Sequence, residues 1–177
     1  MEIKAKCKFD RDSIRALTHL AIFKKANPKK TVIARFVLCF VLLLFVIAER
    51  NIYKFDFTPI ILTVALMLVM LINVFVYFIL PKIQYRSLAK LKEAENEYVF
   101  FDDYIKIFSN SQEYKGEAKI EYSLFVKVFE TSKYFFLYET KTQVFIVDKN
   151  TITDGSAEQI REKLSPILKS KYFICKY

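Results

Sequence analysis

Residues 58–80 read TPIILTVALMLVMLINVFVYFIL, twenty-three consecutive positions without a charge. As an α-helix rising about 1.5 Å per residue the stretch is roughly 34 Å long, enough to cross a bilayer core of about 30 Å. Upstream, residues 31–48 form a second apolar run whose only charge is Arg35. Nine residues, 49–57, join the two runs, and so short a link makes the helices antiparallel neighbours. The expectation is a two-helix transmembrane hairpin, 31–48 and 58–80.

The charge distribution orients that hairpin. The chain has 177 residues and a net charge of +9, and ten Lys or Arg against three acids precede residue 36. Lys82, Arg86, Lys90 and Lys92 follow the second run, whereas the link is neutral, with Glu49 and Asp56 against Arg50 and Lys54. Basic residues flanking spans stay on the cytoplasmic side, so both termini are expected there, in a two-span protein of the cell membrane. Arg35 is expected to stretch back to the interface, as long basic side chains near helix ends do. Tyr53 in the link, and Lys82 and Arg86 beyond the second run, are the other expected interface anchors. Asn73 is the strongly polar side chain deep in a span; its amide calls for a group on the first helix or for Asn73 of a second copy.

The same distribution argues against nucleic acid as a partner. Residues 93–177 carry twelve bases and fourteen acids, whereas a nucleic-acid reader needs a basic face on its folded domain. The first apolar run reads as a span and not as a cleavable signal, since thirty residues precede it and no small-x-small pattern follows Ala48. Cys7, Cys39 and Cys175 show no metal-type spacing and are read as small apolar fillers.

Outside the hairpin three textures alternate. Residues 1–30 open with EIKAKCKF, in which Ile3, Ala5, Cys7 and Phe9 alternate with charged residues, the period of a half-buried strand. With no other strand before the hairpin, its partner is expected in the domain beyond residue 93. Asp10 or Asp12 then caps an amphipathic helix over about Ser13 to Ala26, which either lies in the headgroup region or packs on the soluble domain. His19 is read as a surface residue of that helix. Pro81 is expected to close the second span, and residues 81–97 to form a helical stalk with a solvated acidic end. From Tyr98 the chain becomes rich in Tyr, Phe, Val and Ile, with YVFF, YIKIF, EAKIEY, LFVKVFE, YFFLYE and QVFIVDK separated by polar turns. About six short strands predict one small antiparallel sheet. Asp102 and Asp103 sit at its first turn, where Asp tolerates the backbone required. Ser156 with Gln159 forms a capping-box pattern ahead of an amphipathic helix that Pro166 should bend or end. The terminal YFICKY fits an edge strand or a lipid contact equally. The fold class is α+β: a membrane hairpin, then a small β domain over 98–177 with a C-terminal amphipathic helix.

The central residues carry a family resemblance. Ile120, the Tyr122-Ser123 pair, the Lys127-Val128 pair, the tyrosine-rich run from Tyr134 to Tyr138 and Phe145-Ile146-Val147-Asp148-Lys149 together resemble the YcxB-like family of bacterial membrane proteins. The likeness extends over nearly the whole chain and implies a bacterial inner-membrane protein whose soluble domain is similar to pleckstrin-homology (PH) folds. Two positions depart from the family pattern: Tyr122 stands where the family has Trp, and Asp148 where it has Pro. On a PH-like domain the Asp102-Asp103 turn falls where lipid-binding relatives place bases, and acids there repel phosphate.

Reaction chemistry is not spelled out. One histidine excludes multi-histidine metal sites, and two glycines leave no phosphate-cradling loop. Ser123 has no histidine near it in sequence to activate it. No catalytic, metal or cofactor residues are assigned, and a non-enzymatic role follows as the expectation. The leading reading is a membrane-anchored interaction or scaffold module touching lipids and another membrane or cytoplasmic protein, with self-association left open. The alternatives are an immunity or inhibitory protein against a membrane-active toxin and, behind it, a transporter component.

Overall fold

The computed structural model describes residues 2–24, 26–52, 58–87, 95–110 and 115–175. Strand β1, Ile3–Lys8, buries Ile3, Ala5 and Cys7 and exposes the charged residues between them. Helix α1, Arg11–Phe23, follows; the Asp10 carboxylate caps it by accepting from the Ser13 amide at 2.7 Å. It ends at Lys24, whose φ of 53° breaks the helical path. Helix α2, Pro28–Ile52, starts on a proline, whose missing N–H costs nothing in a first turn, and the Asn27 side chain accepts from the Lys30 amide. Helix α3, Thr58–Val74, passes through a π-helical turn, Phe75–Ile79, into α4, Leu80–Ser87.

The second apolar helix therefore does not stop at Pro81. A proline inside a helix removes one hydrogen bond and pushes its ring against the carbonyl four residues back, here that of Tyr77. The wider π turn just ahead of it gives the ring room, and an outside donor serves that carbonyl, as described below. The stalk also differs from expectation: strand β2 begins at Glu95, because Asn96, Tyr98 and Phe100 alternate inward with the same period as β1. The remainder of the expected stalk, 88–94, lies outside the described residues.

The β domain contains two four-stranded sheets, not one. The first has the order β1-β2-β3-β4, with β3 Tyr104–Asn110 and β4 Lys115–Glu121, and is antiparallel throughout. A tight turn, Tyr122–Leu124, then redirects the chain into the second sheet, of order β7-β6-β5-β8. Its strands are β5 Lys127–Glu130, β6 Tyr134–Tyr138, β7 Val144–Asp148 and β8 Tyr172–Ile174. The tail thus forms an edge strand, and it pairs parallel to β5. Such a pair needs a long return path, which helix α5, Ala157–Leu168, supplies. Both capping-box bonds of Ser156 and Gln159 are present, and α5 runs two residues past Pro166 before Lys169, at φ 47°, ends it.

One apolar core joins the sheets: Tyr98, Phe100, Ile105 and Ile107 from the first, Val128, Phe135, Phe136, Leu137, Ile146 and Val147 from the second, Ile160 and Leu164 from α5. Strand β6 is buried on both faces, and each such large apolar side chain contributes about 1.5–3 kcal/mol relative to exposure. The sheets are stitched where β1 meets the segment after β7: Lys4 and Thr153 exchange two backbone hydrogen bonds of 3.0 and 2.7 Å. Helices α1 to α4 are inserted between two neighbouring strands, since β1 and β2 pair directly with Lys8 opposite Glu95. Both ends of the helical excursion hence return to one sheet. The structure is α+β, with two helices, Pro28–Ala48 and Ile60–Ser87, long and apolar enough to cross a membrane.

Candidate functional site

Helix α1 is the coupling between the two halves of the molecule. Leu20 belongs to the core of the β domain, while Phe23 packs with Val32 and Tyr77 of the apolar helices. Thr18 donates through its hydroxyl to the Ile14 carbonyl at 2.8 Å and is bonded to the Gln84 side chain of α4.

His19 is buried here and not on the surface, because it sits on the face of α1 turned towards the π-helical turn that holds Tyr77. Its Nε2 lies 3.2 Å from the Tyr77 carbonyl, the acceptor that Pro81 leaves without a helical donor. The imidazole stacks on the Tyr77 ring, centroids 4.6 Å apart, and meets Phe23 edge-on at 5.9 Å. Burial lowers its pKa, the bond to Tyr77 opposes that, and Arg15 lowers it further. A neutral ring donating from Nε2 fits this setting. The signal available in the sequence was position: His19 falls one helical turn before Phe23 and one after Arg15.

The structure brings two of the expected site residues together. Arg35 Nη1 donates to Asn73 Oδ1 at 3.1 Å, and Asn73 Nδ2 donates to the Val69 carbonyl at 2.8 Å. Asn73 is buried, and the Arg35 guanidinium also lies 5.9 Å from the Phe23 ring centre. Lys82 and Arg86 are exposed on α4. Tyr53 lies outside the described residues.

Two cavities open at this junction. The larger, about 480 Å³, is lined by α1, the start of α2, Tyr77 and the β5–β6 turn, with Arg15, Lys29 and Lys133 facing a single acid, Asp12. The smaller, about 160 Å³, is lined by Arg11, Arg15, Phe78, Pro81 and Lys82. The Arg15 guanidinium is 5.4 Å from the Tyr77 ring centre, within cation–π range. Tyr134 walls the larger cavity; it is 3 % exposed, and its hydroxyl has no hydrogen-bond partner among the described residues. Burial raises the pKa of that hydroxyl, with the Lys133 ammonium opposing.

A second cluster is structural. Glu130 points into the interior of the β domain and accepts from Lys149 Nζ at 2.7 Å, from Arg161 Nε at 2.8 Å, from a second Arg161 nitrogen and from the Tyr172 hydroxyl. Burial alone would push its carboxyl up, but these donors outweigh it and hold it at about 2. One side chain so ties β5, the turn after β7, α5 and β8. At the first turn of the β domain Asp102 accepts from Lys163 of α5 at 2.6 Å, which holds its carboxyl below the usual range. The thiols of Cys7, Cys39 and Cys175 are all buried and unbridged, and burial pushes Cys7 up to about 12. Among the described residues no three His, Cys, Asp or Glu side chains gather where they could hold a metal ion.

Comparison with known proteins places this geometry only in part. No curated protein and no solved structure matches the chain. Residues 100–164, from the last residue of β2 through most of α5, match the family described as YcxB-like protein, and over that segment the chain is similar to that family.

Proposed function

We propose that the chain is a membrane-anchored, non-enzymatic interaction module. Its two apolar helices cross the bilayer as a hairpin, both termini lie in the cytoplasm, and a PH-like β domain is held at the inner face to engage another protein. The observation that carries this reading is the insertion of two long apolar helices, exposed along most of their length, between adjacent strands of one sheet. Phe45 is 61 % and Leu71 64 % exposed, and an apolar surface that large has no stable place in water. The return of both helix ends to one sheet agrees with a hairpin whose flanks face a single side, as the basic flanks also require.

The interaction role is supported by the open side of β4, which among the described residues pairs with β3 alone, and by the exposed Leu124 and Val126 just beyond it. An unpaired strand edge can recruit an extended segment through its backbone, while the charges of Glu117, Lys119 and Glu121 discourage indiscriminate pairing. Retention in membranes through an alkaline carbonate wash, a reporter after Tyr177 active only in the cytoplasm, and capture of a defined partner by crosslinking from an amino acid analogue placed at Lys119 are expected. A chain released by carbonate, or one that crosslinks to nothing in its native membrane, overturns the reading. Buried Cys175 makes a poor topology reporter; Lys141→Cys in the exposed β6–β7 turn serves instead.

A further inference from the structure

We propose that the 480 Å³ cavity at the junction of α1, α2, the π-helical turn and the β5–β6 turn is a phosphate site, which takes the phosphodiester of a phospholipid headgroup or free inorganic phosphate. Three features carry it. Arg15, Lys29 and Lys133 converge from three separate elements against Asp12, and Arg15 also borders the adjoining cavity with Arg11 and Lys82. Five bases thus surround two neighbouring hollows that hold one acid, and their mutual repulsion is relieved by a bound anion. Arg15 supplies the planar fork suited to phosphate oxygens, the lysines supply point charge. Lastly, the Tyr134 ring walls the cavity with the Lys133 ammonium 5.1 Å from its centre, a cation–π contact that holds this charge at the cavity's rim.

The acidic side of Tyr134 is a different matter. There it borders a cavity of about 260 Å³ in which Asp10, Glu95 and Asp148 outnumber Lys6 and Lys8, so an anion belongs on the Arg15 side. The volume of the basic cavity falls in the range of small-molecule sites, about 300–1,000 Å³, and admits more than a phosphate group alone. The lipid source rests on the membrane reading above, because the cavity adjoins the start of α2 at Pro28 and the π-helical turn at Tyr77, next to the basic flanks of both apolar helices; the phosphate chemistry does not.

The test uses the full chain. In detergent, inorganic phosphate is titrated by calorimetry; in phosphatidylcholine vesicles with and without phosphatidylglycerol, retained lipid is read by native mass spectrometry. Arg15→Gln and Lys133→Gln lie on exposed positions and each should weaken binding about tenfold, and Lys141→Gln in the distant turn should leave it unchanged. Binding of both probes, lost in the two variants, assigns a lipid headgroup. Binding of inorganic phosphate alone, lost in the same variants, assigns free phosphate. Absence of binding by either probe, or binding indifferent to Arg15 and Lys133, overturns the proposal. A chain that fails to associate with vesicles yet binds phosphate through Arg15 refutes the membrane reading and leaves this site standing.

Discussion

The substitution Glu130→Gln should cost the β domain most of the stability that its buried carboxylate supplies. Glu130 is 2 % exposed at the side chain and takes four hydrogen bonds from Lys149, Arg161 and Tyr172. Its pKa lies at about 2 against an ordinary 4.5, a difference worth about 3 kcal/mol at roughly 1.4 kcal/mol per pH unit. The folded chain holds the proton more weakly than the unfolded chain. The stabilisation is therefore complete above about pH 4.5 and drains away as pH falls towards about 2. Glu130→Gln keeps the shape but leaves Lys149 and Arg161 beside a neutral amide, and breaking a buried ion pair costs about 3–5 kcal/mol. For a domain of roughly 60–100 residues, about 3 kcal/mol lowers Tm by some 10–20 °C. The assay is thermal unfolding of the full chain in detergent, followed by the near-UV signal of its tyrosines, at a series of pH values. The wild type should lose its advantage over the variant as pH drops below about 4.5. A Glu130→Gln chain that melts with the wild type at neutral pH, or a gap that is the same at pH 3, would refute the reasoning.

Three further outcomes are expected. His19 is the one histidine in the chain, so its NMR titration is unambiguous: the ring should titrate below 6.5. Because the unfolded chain protonates first, stability contributed where α1 meets the π-helical turn is full above about pH 6.5 and falls below it; a titration at or above 6.5 sinks the assignment. Gly155→Ala should destabilise by about 1–3 kcal/mol, since an added Cβ would stand 2.8 Å from Cγ1 of the buried Ile3, and an unchanged melting temperature would contradict that contact. Replacing residues 9–94 by Asn-Gly joins Lys8 to Glu95, already opposite one another, through a favoured two-residue turn. That product should be water-soluble and β-rich by circular dichroism, melting below the parent because Leu20 is lost from the core; an insoluble or unfolded product argues against the insertion.

Much of the architecture was legible because it rests on local periodicity. The alternation of EIKAKCKF, the uncharged run at 58–80 and the Ser156–Gln159 pair each specify their own geometry, and the pairing of β1 with the distant domain followed from its having no nearer partner. What escaped were features set by contacts remote in sequence. Pro81 reads as a stop until a π turn and the His19 donor appear beside it, and Pro166 reads likewise. The parallel pairing of β8 with β5 has no periodic signature, nor does the bend at Tyr122 that divides one expected sheet into two. Glu130 was half legible: alternation through Val128 and Glu130 puts the carboxylate on the inward face, but its three donors come from segments nineteen to forty-two residues away. The basic cavity depends on Lys133 meeting Arg15, which no spacing announces.

The placement of the helices between β1 and β2 also sets an order of events during synthesis. Lys8 leaves the ribosome long before Glu95, and the bond between their strands cannot form until both helices have been made. On a bilayer, a chain whose second helix failed to recross would deliver Glu95 to the far side from Lys8, and β1 would remain without its neighbour. With the hairpin threaded as proposed, the pairing of β1 with β2 would form only in molecules whose second helix had recrossed, and the others would keep an unpaired strand edge.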